Sequence, residues 1–190
     1  MGDAVIGADG RGRCPWAVSA DDYMAYHDDE WGYAVRDDRG LYERLCLEAF
    51  QSGLSWLTIL RKRENFRAAF ADFDMERVAG FGDADRARLM ADAGIVRNRL
   101  KIDAAINNAR AALDLPGGLA ELAWRHADPA GPPRASSADV PATTPASKAL
   151  AKELKRHGFR FVGPTTVYAL MQACGLVNDH LTGCFRRAAG

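Results

Sequence analysis

Two thiols and two imidazoles lie near opposite ends of this 190-residue chain. His180 and Cys184 are four residues apart, which puts both side chains on one face of a helix or tight turn. Cys14 and His27 sit near the other terminus. Soft thiolates with neutral imidazoles suit tetrahedral zinc, which makes no redox demand. An ion held by all four would close a very long loop and constrain the unfolded chain. Most short zinc motifs keep their ligands within about 30 residues, so the pattern alone leaves open that these are separate structural side chains. Cys46 and Cys174 fall in helical stretches and read as small core residues.

A second set of chemistry-bearing residues is aromatic. Trp16, Tyr23, Tyr26, Trp31 and Trp56 crowd the first 56 positions. Large π-faces suit stacking on a flat base, although aromatics equally build cores. Glu48 falls on the flank of an apolar helix face, where a carboxylate needs a partner or a use. It is placed to meet the N–H edge of a base, to offset a cationic ligand, or simply to reach solvent. Gln51, Ser52 and Ser55 are near enough in sequence to add polar contacts.

The elements that must position these groups read as helices. Leu41, Tyr42, Leu45, Cys46, Ala49 and Phe50 repeat with helical period from Asp37 to the stop at Gly53. Trp56, Ile59, Leu60, Phe66 and Phe70 give a second helix. Asp74 and Asp83 are candidate N-caps of two short helices. A longer helix is expected from Arg99 to Leu113, a short one from Leu119 to His126, and two more over 146–157 and 164–175. Residues 159–162 read as a short strand, 1–12 as a loose leader, and the proline-rich stretch 128–147 as a long surface loop. The fold class is all-α, one domain over 13–187, since strands nowhere alternate with helices.

Composition sets bounds on the rest. Lysine and arginine total 25, as do aspartate and glutamate, which argues against a strongly basic nucleic-acid binder. Charge is nonetheless segregated: residues 20–45 carry eight acids against three arginines, and 146–190 seven bases against two acids. No apolar run approaches the roughly 18–20 residues needed to span a bilayer, and the N-terminus lacks a greasy stretch, so no membrane role and a reducing cytoplasm are expected.

Four blocks resemble the DNA-3-methyladenine glycosylase I family. They are Arg13-Cys14-Pro15-Trp16 with Tyr23 and Tyr26 to Gly32; Cys46 to Trp56 with Lys62 to Phe66; Asp92 to Arg97; and Gly158 to Gly163 with Gln172 to His180 and Cys184. The resemblance implies an all-α fold of the helix-hairpin-helix DNA glycosylase superfamily. It implies a structural zinc ion on Cys14, His27, His180 and Cys184, tying the termini together. It also implies a bacterial repair enzyme, working as a monomer in the cytoplasm. That enzyme would flip N3-methyladenine out of double-stranded DNA and hydrolyse its N-glycosidic bond.

Under the same resemblance, Glu48 is the catalytic-site carboxylate, and Tyr26, Trp56, Trp16, Tyr23 and Trp31 recognise the base. Leu54 wedges into the duplex. Gly94, Ile95 and Val96 form a phosphate-binding hairpin with charge from Arg97, Arg99 and Lys101. The segment where the superfamily's catalytic aspartate is expected, Phe161 to Tyr168, holds no acid, so a monofunctional enzyme without strand cleavage is expected. A non-catalytic DNA-binding module and a zinc-stapled interaction domain are the competing readings.

Overall fold

The computed structural model describes residues 3–187. Nine α-helices are present among them: α1 (Asp21–Asp29), α2 (Asp38–Gln51), α3 (Trp56–Ala69), α4 (Met75–Ala79), α5 (Asp83–Ala91), α6 (Arg99–Leu113), α7 (Gly118–Trp124), α8 (Pro145–Arg156) and α9 (Pro164–Ala173). Local chemistry starts most of them. The side chains of Asp37, Ser55, Asp74, Asn98 and Thr144 each accept from a backbone N–H in the first turn that follows. Proline opens α8 and α9, where a missing N–H costs nothing.

Helix α2 is the centre of the domain. It packs against α3, α6, α7 and α9, and every residue from Leu45 to Phe50 is buried. Phe50, Phe66, Phe70 and Phe73 form one aromatic stack beneath it. Tyr42 satisfies its hydroxyl on the Ala105 carbonyl at 2.9 Å. Glu48 is the one acid on this buried surface of α2, at 6% exposure.

Three expectations need correction. The leader is not loose: β1 (Val5–Ile6) and β2 (Gly12–Arg13) form an antiparallel hairpin, with Met1 and Gly2 lying outside the described residues. Arg13 anchors that hairpin by pairing with both Asp9 and Asp28, at 2.6 and 2.7 Å. No strand forms over 159–162. There the Asn108 side chain pairs with both backbone groups of Arg160, at 2.8 and 2.9 Å, doing the work of a neighbouring strand. The 128–147 stretch is a loop only as far as Thr144, where α8 begins, and it is not free. Asp128 bonds the Leu176 carbonyl at 2.7 Å, and the Arg134 carbonyl accepts from Thr182 N at 2.8 Å, so the loop lies along residues 176–182.

Candidate active site and metal centre

Glu48 opens into a cavity of about 420 Å³. Its walls come from six parts of the chain: Trp16, Tyr23, Tyr26 and Trp31 from the N-terminal segment, Glu48 and Gln51 from α2, and Trp56 from α3. Ala169 and Gln172 come from α9, and Ser137 and Val140 from the 128–147 loop. Asp179, Leu181 and Cys14 complete it. The rings interlock. Trp16 meets Tyr23 and Trp31 edge to face at 5.5 and 5.2 Å, and Tyr26 tilts against Trp56 at 5.5 Å. All six residues assigned to base recognition or catalysis thus meet in one place.

The electrostatics of the cavity centre on Glu48. No donor among the described residues hydrogen-bonds its carboxylate. Burial pushes its carboxyl up to about 8, and the charge of Arg44 pulls the other way. Burial also raises the Tyr26 hydroxyl, helped by the Glu48 charge. The indole N–H of Trp56 is buried without an acceptor. A carboxyl and an indole N–H therefore stand unpartnered against aromatic walls, the condition of a site awaiting a polar, flat ligand.

Gln51 lines this cavity as expected, but Ser52 and Ser55 do not; Ser55 instead caps α3. Sequence reasoning missed Ser137, Val140, Gln172 and Asp179. The last two lay in the block ending at His180, next to a candidate ligand, which was the available signal. Asp179 is held by Arg134 at 3.0 Å, Gln172 at 2.9 Å and the Tyr168 hydroxyl. Ser137 and Val140 had no such signal, because only folding lays their loop against the aromatics.

Cys14, His27, His180 and Cys184 converge, all four buried, with one ligand atom from each within 4.8 Å of the others. Cys184 Sγ lies 3.4 Å from His27 Nε2 and 3.5 Å from His180 Nδ1, and Cys14 Sγ lies 3.9 Å from His180 Nδ1. Ordinary Zn–S and Zn–N bonds at tetrahedral angles give edges of about 3.6 Å. The outer partners of the two imidazoles agree with such a use. His27 Nδ1 faces Asp28 at 2.8 Å, and His180 Nε2 faces the Trp31 carbonyl at 3.2 Å. Protons held there leave the inward nitrogens with free lone pairs. Hydrogen bonds from Cys14, then His180 and His27, hold the Cys184 thiol well below its usual range, while the same pairing with Cys184 and burial raise Cys14. The donor set fits a zinc ion.

The residues assigned to DNA contact divide. Leu54 is 43% exposed on the turn between α2 and α3, just after Gly53 at φ +83°. Gly94, Ile95 and Val96 lie in the turn between α5 and α6, with the Ile95 side chain buried as an anchor. Arg97 is exposed and makes no ion pair among the described residues; Arg99 is exposed too. Lys101 is a correction. It is 7% exposed and its ammonium donates to the carbonyls of Phe50 and Ser52, at 2.9 and 2.5 Å, so it is not available to a phosphate.

A helical domain enclosing an aromatic, carboxylate-bearing cavity is built to hold a flat, polar ligand, and comparison with known proteins narrows the class. The model of the methyladenine glycosylase family matches residues 16–187. DNA-3-methyladenine glycosylase 1 of Escherichia coli (strain K12) is 47% identical over 177 residues, covering 90% of this chain and 95% of that protein. A crystal structure of 3-methyladenine DNA glycosylase I superposes with a TM-score of 0.85 at 50% identity, covering 91% of this chain and 98% of that one. The Staphylococcus aureus 3-methyladenine DNA glycosylase I, solved to explain 3-methyladenine recognition, gives 0.84 at 35% identity, covering 92% and 96%. The chain belongs to the methyladenine glycosylase family. It is an enzyme of that class, a hydrolase of N-glycosidic bonds.

Proposed function

We propose that this chain removes N3-methyladenine from alkylated double-stranded DNA, receiving the flipped base in the aromatic cavity and hydrolysing its glycosidic bond without cutting the strand. The observation that carries this reading is the buried, unpartnered Glu48 carboxyl facing a cavity walled by Trp16, Tyr23, Tyr26, Trp31 and Trp56. Methylation at N3 gives the linked base a positive charge and makes it a good leaving group. Little chemical push is then required, and selection of the charged base does most of the task.

Two features select that charge. Electron-rich ring faces favour a cation by about 0.5–2 kcal/mol. Glu48, held largely protonated in the free protein, gives its proton to solvent when a cation enters, because an adjacent positive charge favours the carboxylate. Neutral adenine offers no such compensation. The substrate is extruded because a glycosylase cannot reach its target bond within the stack. Leu54, projecting from its turn, would fill the gap left in the duplex. The α5–turn–α6 unit would serve as the helix-hairpin-helix, seating a phosphate over Gly94, Ile95 and Val96 with the Ile95 N–H and the charge of Arg97 as its donors. No lysine is among the residues lining the cavity, which supports hydrolysis by water over a Schiff-base lyase.

Cys14, His27, His180 and Cys184 would hold a structural zinc ion. Four protein ligands leave no position for a reacting water, so the ion would fasten the termini and the cavity wall between them. We place the enzyme in the bacterial cytoplasm as a monomer. No helix among the described residues is long and apolar enough to cross a membrane. The test is release of free 3-methyladenine from methylated duplex by zinc-loaded protein; folded protein that releases none refutes the proposal.

A further inference from the structure

The turn between α5 and α6 is bonded to α3 from one side. Lys62 Nζ donates to the carbonyls of Ala93 and Gly94 at 3.1 and 3.2 Å, and Asn65 Nδ2 donates to the Gly94 carbonyl at 3.3 Å. A trans peptide points its C=O and N–H in opposite directions. Turning both carbonyls toward α3 therefore turns the N–H groups of Gly94 and Ile95 away from it. The Gly94 N–H is taken by Asp92 Oδ1 at 2.7 Å. The Ile95 N–H has no acceptor among the described residues, and Arg97 follows two positions later, exposed.

A second ammonium runs in the opposite direction. Lys101, in the first turn of α6, bonds the carbonyls of Phe50 and Ser52 at the end of α2. Leu54 lies between these two attachments: α2 ends just before it and α3, which carries Lys62, begins just after it. Two lysine links in opposite senses thus lock the Leu54 turn and the α5–α6 turn into one body.

We propose that Lys62 is a positioning residue for duplex binding: it fixes the 93–95 peptides with the unpartnered Ile95 N–H outward and, together with Lys101, sets the distance between the phosphate grip and the Leu54 wedge. The inference rests on the DNA-binding reading given above. Without the brace the turn holds its binding geometry only part of the time, and a competent fraction of about one in ten raises the apparent dissociation constant about tenfold.

The test is Lys62→Met, measured on methylated duplex and on free 3-methyladenine with the zinc-loaded protein. The expected result is a KM for duplex raised about tenfold with kcat nearly unchanged, free-base affinity retained, and most of the loss recovered in Lys62→Arg. A wild-type KM overturns the proposal. So does a parallel fall in kcat and free-base affinity, the sign of a merely structural role. Arg97→Ala separates the two levels. If it weakens duplex binding while Lys62→Met does not, the brace alone fails. If neither variant affects duplex binding, the phosphate-binding assignment of the α5–α6 turn fails with it.

Discussion

The indole of Trp31 meets the imidazole of His180 edge to face at 4.6 Å, and the Trp31 carbonyl faces His180 Nε2 at 3.2 Å. One residue thus lines the aromatic cavity and orients a candidate metal ligand. Cys14 belongs to both sites as well. The candidate metal centre and the cavity share a wall, so damage to one should be read in the other.

Cys184→Ser should therefore do more than lower metal content. The Cys14 and His180 ligand atoms it holds together are 166 residues apart in sequence. Loss of the closure should lower Tm by about 10 °C in a domain of this size. Affinity for free 3-methyladenine should fall at the same time. Thermal melts with titration of the base check both, and a variant lacking zinc but keeping Tm and affinity contradicts the shared wall.

Asp28 stands behind His27, and Arg13 stands behind Asp28 with contacts of 2.7–3.1 Å. Such outer carboxylates set ligand tautomer and basicity. Asp28→Asn should weaken zinc binding roughly 10–100-fold while leaving the four ligands intact. Competition with a chromophoric chelator measures it; unchanged affinity would show that His27 needs no orienting anion.

Gly32 is fixed by the same neighbour. Its φ is +84°, and a Cβ there would lie 2.8 Å from His180 Nε2. Gly32→Ala adds a left-handed alanine, roughly 1–2 kcal/mol, to a collision with the ligand ring. Reduced metal content and a lower Tm are expected by metal analysis and calorimetry. Full zinc occupancy with native stability would mean that the ring moves aside at no cost.

For Glu48 stability and function should oppose each other. Its carboxyl titrates near 8 when folded and near 4.5 when unfolded, so between those pH values the native state holds the extra proton. Stability from this group is therefore full below about 4.5 and falls as pH rises toward 8, by about 3 kcal/mol at neutral pH. Glu48→Gln abolishes that fall and should raise Tm by several degrees at pH 8 but not at pH 4.5. The same change should slow excision in single-turnover assays. Equal melting curves at both pH values, or undiminished excision, would remove Glu48 from the role assigned to it.

The sequence determined much of the secondary structure. Periodic apolar residues and caps such as Asp74 and Asn98 act over one or two turns, and the starts of α2, α3 and α6 were legible to within a residue or two. It also singled out Glu48, through a local conflict between its charge and its helix face. Long-range contact decided the rest. Nothing near Ser137 or Val140 shows that their loop becomes a cavity wall, because that follows from backbone bonds to residues 176–182. Lys101 looks like any exposed helix lysine until α2 ends against it. The four residues of the Cys2His2 cluster were visible as types, but their convergence depends on two chain ends meeting, and distance along the chain carries no information about distance in space.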